Sequence, residues 1–260
     1  MGVSINIDKA IEEYKSKGGK TSFENSLKQV LKWAKSDNRI NTVSDLAYLL
    51  GTAKEESDYS LQRWESDFLC GKKGVPYSQK PCNKALNYYR SSDNKQNYYN
   101  LGIDKNGLPY FGRGLIQLTG KSNYKKYGDK IGVDLVNNGN LALEPKNSYN
   151  IALEFLTNKR GGIYSKNGEK RNTFDLVKDG DLTLARKSVN GGTKGLYGVN
   201  SAYNKWKTII ENNLISEGSS GKGKGKVTGT GKGLKIVGFS IIFLSVVGFA
   251  YGLYYFSRTK

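Results

Sequence analysis

Apolar positions recur at helical spacing through much of this chain. Phe23, Leu27, Val30, Leu31 and Ala34 fall on one face of a helix expected over 23–33. Leu46, Leu49, Leu50 and Ala53 form the inward stripe of a second, which Asn41, Thr42 or Ser44 can cap. Further helices are expected at 147–156, 182–189 and 199–214. Between them, 72–84 and 91–109 are rich in Gly, Asn, Ser, Lys and Pro with tyrosines interleaved, and read as long excursions around a helical scaffold. The fold class is therefore mainly α.

After Ile215 the pattern changes abruptly. Residues 216–233 are nearly all Gly, Ser, Thr and Lys, the makeup of a flexible, self-repelling linker. The run opened by Ile236 and closed by Phe256 carries no charge. As a helix it would be roughly 31 Å long, enough for a ~30 Å hydrocarbon core. The expected division is a body over 1–215, a linker over 216–233, a transmembrane helix over 234–257 and a short tail over 258–260. The lipid bilayer is thus one expected partner. Gly248 and Gly252 form a GxxxG through which such helices could self-associate. Lys222, Lys224, Lys226, Lys232 and Lys235 precede the span, against Arg258 and Lys260 after it, which places the body on the cytoplasmic side at first insertion. The N-terminus shows no cleavable signal pattern, because Asp8, Lys9, Glu12 and Glu13 interrupt the apolar residues there.

Composition narrows the chemistry. Histidine is absent from the 260 residues. That removes Ser-His-Asp and Cys-His sites, histidine-bound zinc and imidazole proton shuttles, and leaves acid-base work to carboxylates. No metal and no cofactor are expected. Cys70 and Cys82 permit a disulfide without requiring one. The formal charge of +18 favours anionic surroundings such as nucleic acid, anionic lipid or the acidic polymers of bacterial walls. No helix-turn-helix or RNP-like pattern accompanies it, so no specific nucleic-acid partner is expected.

The stretch 110–124, YFGRGLIQLTGKSNY, joins a glycine turn, an arginine and a run of short polar side chains. Gly112 and Gly114 can adopt backbone angles closed to other residues. Arg113 between them presents a planar fork of donors suited to a carboxylate. Gln117, Thr119 and Asn123 offer uncharged donors and acceptors of the kind that read sugar hydroxyls and N-acetyl groups. Two adjacent glutamates compete for one role in the helix DLAYLLGTAKEES. At about 100° per residue Glu56 falls on the flank of the inward stripe, Ser57 near its middle, and Glu55 nearly opposite. Glu56 is the better candidate for a partly buried acid. Glu65, past the expected helix end, could face it across a cleft.

The 110–124 motif resembles the signature of family 19 glycoside hydrolases, the chitinases and related phage endolysins, with its G-R-G-x-x-Q-L-T core followed by N-Y. AYLLGTAKEES is similar to the family's acid-bearing helix, with Glu55 standing where histidine is common, so that Glu55 would raise the pKa of its neighbour instead of orienting it. SVNGG resembles the family's I-N-G-G segment, and the likeness runs from about Phe23 to Ile215. The resemblance implies a lysozyme-like, two-lobed helical domain with long loops. It assigns proton donation to Glu56, water activation to Glu65 with help from Thr119 and Asn190, and inversion at the anomeric carbon. Gln117, Asn123, Tyr110, Tyr124 and Asn190 would contact sugar. Arg113, Gly112 and Gly114 would organise the site, Arg113 either holding a carboxylate there or making a salt bridge inside the fold. Tyr88, Tyr89, Tyr98 and Tyr99 would extend the cleft or lie on the surface.

The membrane tail turns the expected substrate toward peptidoglycan, with chitin second, and the expected location toward a phage virion membrane or the bacterial inner membrane. A cytoplasmic body conflicts with a substrate outside the membrane. Two other classes remain: a non-catalytic wall-binding structural membrane protein, and a basic membrane-tethered nucleic-acid binder.

Overall fold

The helices follow their apolar stripes. In the computed structural model, residues 3–64, 83, 84, 87 and 102–215 are described, all within the unit Met1–Gly218. Helix α1 (Ile7–Ser16) starts at Asn6, whose side chain accepts from the Lys9 N–H, and buries Ala10, Ile11 and Tyr14. α2 (Glu24–Ala34) buries Leu27, Val30, Leu31 and Ala34. α3 (Val43–Ser57) begins with a capping box of Thr42 and Asp45, so free N–H groups at its start are satisfied reciprocally. Next come α4 (Lys121–Ile131), a 3-10 turn (Gly139–Leu143) and α5 (Pro145–Leu156). Pro145 opens α5 where its missing N–H costs nothing. A second 3-10 turn (Gly162–Tyr164) leads to α6 (Thr173–Lys178), α7 (Leu182–Asn190) and α8 (Leu196–Asn212). The mainly α expectation holds for these residues. Pairing of extended backbone among them is confined to isolated bridges, one of which ties Ile5 to Leu214.

α3 is the axis of the domain. Every residue from Asp45 to Ala53 is buried, so the helix is enclosed on all sides, where the apolar pattern had indicated a single inward stripe. Its most extensive partner is α8. Gly51 sets their spacing: a Cβ there would stand 2.9 Å from the Val199 carbonyl oxygen and 3.1 Å from the Tyr203 nitrogen. Both obstacles are backbone, which cannot swing aside.

The exit from α3 is fixed by aromatic packing. Asp58 and Tyr59 both take positive φ, 54° and 68°, which is strained for residues with a Cβ. Tyr59 is held there by Trp206, whose indole N–H donates to its hydroxyl at 2.8 Å, while its own hydroxyl reaches that of Tyr14 at 3.2 Å. Tyr14 in turn stacks on Trp206 with ring centroids 4.7 Å apart. The first, third and last helices thus lock the point where α3 hands over to the chain leading to Trp64.

Among the described residues no helix is long and apolar enough to cross a membrane. The expected linker, membrane helix and tail over 216–260 lie outside the described residues, as do Glu65, Cys70, Cys82, Tyr88, Tyr89, Tyr98 and Tyr99.

Candidate active site

The last turn of α3 separates its two glutamates as helical geometry requires. Ser57 is buried, Glu56 half-buried and Glu55 exposed. Arg186 of α7 donates from Nη1 to Glu56 Oε1 at 2.5 Å. The guanidinium is 3 % exposed and the carboxylate 19 %. Arg186 Nε donates to the Lys194 carbonyl at 2.7 Å, and Asn190, one helical turn further along α7, reaches the same carbonyl at 3.4 Å. The arginine grips one carboxyl oxygen of Glu56. The other makes no hydrogen bond among the described residues. Burial pushes the Tyr48 hydroxyl well above its ordinary pKa, with the Arg186 charge opposing the shift, so a neutral phenol shares this environment.

The Glu55 carboxylate lies against the first turn of α8: a Cβ on Gly195 would be 2.5 Å from Glu55 Oε1, and one on Gly198 would overlap Oε2.

The 110–124 segment builds the adjoining wall. Arg113 and Leu118 exchange backbone hydrogen bonds at 3.1 and 2.9 Å, closing a tight turn. Gly114 (φ 76°) and Gln117 (φ 54°) supply its left-handed corners, whereas Gly112 does not adopt positive φ, contrary to the reading of both glycines as turn residues. The Gly114 N–H donates to the Arg63 carbonyl at 2.6 Å, and Trp64 bridges Arg113. The Ser57 hydroxyl donates to the Leu115 carbonyl at 2.9 Å. The turn therefore hangs on the end of the helix that carries Glu56, and it lies against the chain immediately before Glu65.

Arg113 works inside this wall. It is 1 % exposed. Nη1 donates to the Pro109 carbonyl at 3.0 Å and the Tyr124 hydroxyl at 2.8 Å, and Nε to Asn140 Oδ1 at 3.0 Å. Its guanidinium lies 3.9 Å from the Phe111 ring centroid. Among the described residues it has no carboxylate within ion-pair distance, so neither expected partner, a site carboxylate or a salt bridge, is present there. Carbonyl, hydroxyl and amide oxygens take that place and fix the segment's shape.

The sugar-contact candidates divide. Tyr110 and Tyr124 are core residues, 1 % and 0 % exposed, with their rings edge-on at 5.1 Å. Their hydroxyls donate to the carbonyls of Val136 and Phe111, so neither ring has a face for a sugar. That corrects the expectation that they contact sugar; a paired tyrosine reads alike in sequence whether it packs a core or a ligand. Gln117, Thr119 and Asn123 stay half-buried. Gln117 Nε2 donates to the carbonyls of Arg63 and Gly114, Thr119 to that of Gln117 and Asn123 to that of Thr119. Asn190 is exposed.

Two residues escaped the sequence reading. Arg186 stands one turn before Asn190, a spacing that places both on one helix face and was open to detection. Tyr197 is 88 % exposed on the first turn of α8. A large aromatic in that position had no local signal.

Residues 67–167 match the glycoside hydrolase family 19 described as chitinase class I. An acidic 27 kDa endochitinase of Solanum lycopersicum is 46 % identical over 94 residues, 36 % of this chain and 35 % of that protein. Chitinase 11 of Oryza sativa subsp. japonica is 50 % identical over 48 residues, 18 % of this chain and 19 % of that one. The chain thus aligns with between about a fifth and a third of the length of these curated relatives. Among solved structures, chitinase C from Streptomyces griseus HUT6037 superposes with a TM-score of 0.53 at 17 % identity, over 84 % of this chain and 80 % of that one. The domain therefore has the mainly helical fold of that chitinase. The family match takes in the Arg113 wall but not Glu56, Glu65, Arg186 or Asn190.

Proposed function

We propose that this chain is a membrane-anchored glycoside hydrolase that cuts β-1,4 bonds of peptidoglycan by single displacement with inversion. The observation that carries the enzyme reading is the Glu56–Arg186 pair, set at the end of α3 beside the Arg113 wall. The family match and the shared chitinase fold support a glycoside hydrolase. Glu56 donates a proton from its ungripped oxygen to the glycosidic oxygen, and Arg186 stabilises the carboxylate that remains. Glu65 removes a proton from water on the opposite face of the sugar, which requires a carboxyl separation of ~6.5–9.5 Å. Thr119 and Asn190 position that water, Gln117 and Asn123 contact sugar, and Arg113, Gly112 and Gly114 hold the wall. Peptidoglycan is favoured by the uncharged run 236–256 and the charge of +18, which suit work beside a membrane and an acidic wall. The bilayer in question is that of a phage virion or of the bacterial inner membrane. The names of the matched relatives favour chitin as the second reading.

The test is turbidity loss of purified peptidoglycan, with a chitin suspension in parallel, using the full chain and its Glu56→Gln and Glu65→Gln variants. Clearance of peptidoglycan by the wild type and by neither variant supports the reading; clearance of chitin alone moves the substrate to the second. Membrane placement predicts that the full chain floats with lipid vesicles while a chain ending at 215 does not.

Tyr197 supplies a separate expectation. Tyr197→Ala should raise KM for the glycan by about threefold to tenfold with kcat little changed, and Tyr197→Phe should keep the wild-type value, because the ring face does the binding. Equal KM values for all three would remove Tyr197 from the cleft.

A further inference from the structure

We propose that Glu55 is a positioning residue that sets Glu56 through α8 and Arg186; the inference rests on the reading of Glu56 as the acid. Helix α8 starts at Gly195, which has φ 74° and no side chain to cap the free N–H groups of the first turn. A carboxylate from another helix lies against that turn. Both Glu55 oxygens occupy space that glycine leaves open, Oε1 beside Gly195 and Oε2 beside Gly198. Negative charge at a helix N-terminus is favourable because the helix dipole and its unpaired N–H groups present positive charge there.

The consequence passes through one peptide unit. Lys194, the residue before Gly195, offers the carbonyl on which Arg186 Nε hangs at 2.7 Å, and Asn190 reaches that oxygen as well. Arg186 then places its Nη1 on Glu56 at 2.5 Å. The two adjacent glutamates thus meet the same loop from two sides, Glu55 by packing at the head of α8 and Glu56 by way of the arginine. Releasing Glu55 frees the 193–195 turn, lets the Lys194 carbonyl drift, and loosens the orientation of the proton donor without altering where sugar binds.

Glycine geometry makes the idea testable without touching a charge. In the helix, alanine at position 198 is intrinsically better than glycine. In the presence of Glu55 its methyl group would displace the carboxylate. On the full chain, Glu55→Ala and Gly198→Ala should each lower kcat about tenfold with KM within twofold. Adding Gly198→Ala to Glu55→Ala should cost nothing more. Glu55→Gln, which keeps the packing and removes the charge, should recover little of the rate. Gly161→Ala, where the nearest atom is 3.7 Å away, is the control. Hydrogen exchange at Arg186 Nε, followed by NMR, gives a reading independent of turnover: it should quicken at least tenfold in both single variants. Wild-type kcat and exchange in Glu55→Ala, or an equal penalty from Gly198→Ala with and without Glu55, would overturn the proposal. Glu56→Gln, run alongside, separates the two assignments. If it is inactive while Glu55→Ala is normal, only the positioning role fails. If it is fully active, the acid assignment fails, and the exchange result alone decides whether Glu55 orders Arg186.

Discussion

Glu56→Gln is expected to lower kcat on the susceptible glycan by about 10³-fold or more, the upper part of the range for a general acid. The substitution removes the transferable proton and little else. The side-chain amide keeps an oxygen for Arg186, so the guanidinium, 3 % exposed, retains an acceptor. Folding should therefore persist, and thermal melting together with release of reducing ends separates loss of chemistry from loss of structure. Glu56→Ala differs, because it leaves the Arg186 charge without its carboxylate in a largely dry site. That costs about 3 kcal/mol, near the lower end for breaking a buried pair. A Glu56→Gln enzyme with more than a tenth of wild-type kcat would contradict the assignment.

An effect on stability of similar size is expected at Gly114. Its φ of 76° is strained for any residue with a Cβ, and that Cβ would lie 2.7 Å from Ser148 Oγ and 3.0 Å from the Ala142 carbonyl oxygen. Ser148 cannot yield freely, since its hydroxyl accepts from the Leu115 N–H at 2.8 Å. Backbone strain and overpacking together make Gly114→Ala destabilising by about 3 kcal/mol. For a domain of this size that is a fall in Tm of about 6–12 °C. Gly132 isolates the first contribution, because it has φ 70° with nothing within 4 Å of its would-be Cβ. Gly132→Ala should cost about 1 kcal/mol. Equal melting temperatures for the two variants would show that the 110–124 turn is not clamped against α5.

These two sites illustrate what could be read from the chain. The helices α2, α3, α5, α7 and α8 carry enough apolar residues at helical spacing to reveal themselves, and they emerge within a few residues of the expected bounds. α4 was hidden because KSNYKKYGDKI buries only Tyr124, Tyr127 and Gly128. α1 was hidden by its charges, although Ala10, Ile11 and Tyr14 form a buried stripe. The order of exposure at 55, 56 and 57 follows from helical geometry alone, since one turn fixes where each side chain points. The partners of those residues do not. Arg186 lies 130 positions from Glu56, and no local pattern announces a pairing at that separation. Arg113 was legible as a residue that organises the site, yet its acceptors come from Pro109, Tyr124 and Asn140, which only the folded turn brings together. Tyr110 and Tyr124 show the converse, where a motif suggests ligand contact and packing decides otherwise.

Arg186 also changes how the acid is understood. From the sequence, Glu56 had only a neighbouring carboxylate to shape its environment. In the fold Glu55 faces the head of α8, and a buried guanidinium takes over the role of orienting partner. On the proposed reading, a chain without histidine fixes its proton donor by means of an arginine carried on the helix that ends at Asn190.

Above all, this chain is expected to break a β-1,4 bond in one displacement. Proton NMR of the first products, recorded before mutarotation while the full chain degrades peptidoglycan, tests that most directly. New reducing ends should appear as the α-anomer and relax toward the β form. Initial release of the β-anomer would contradict a single displacement.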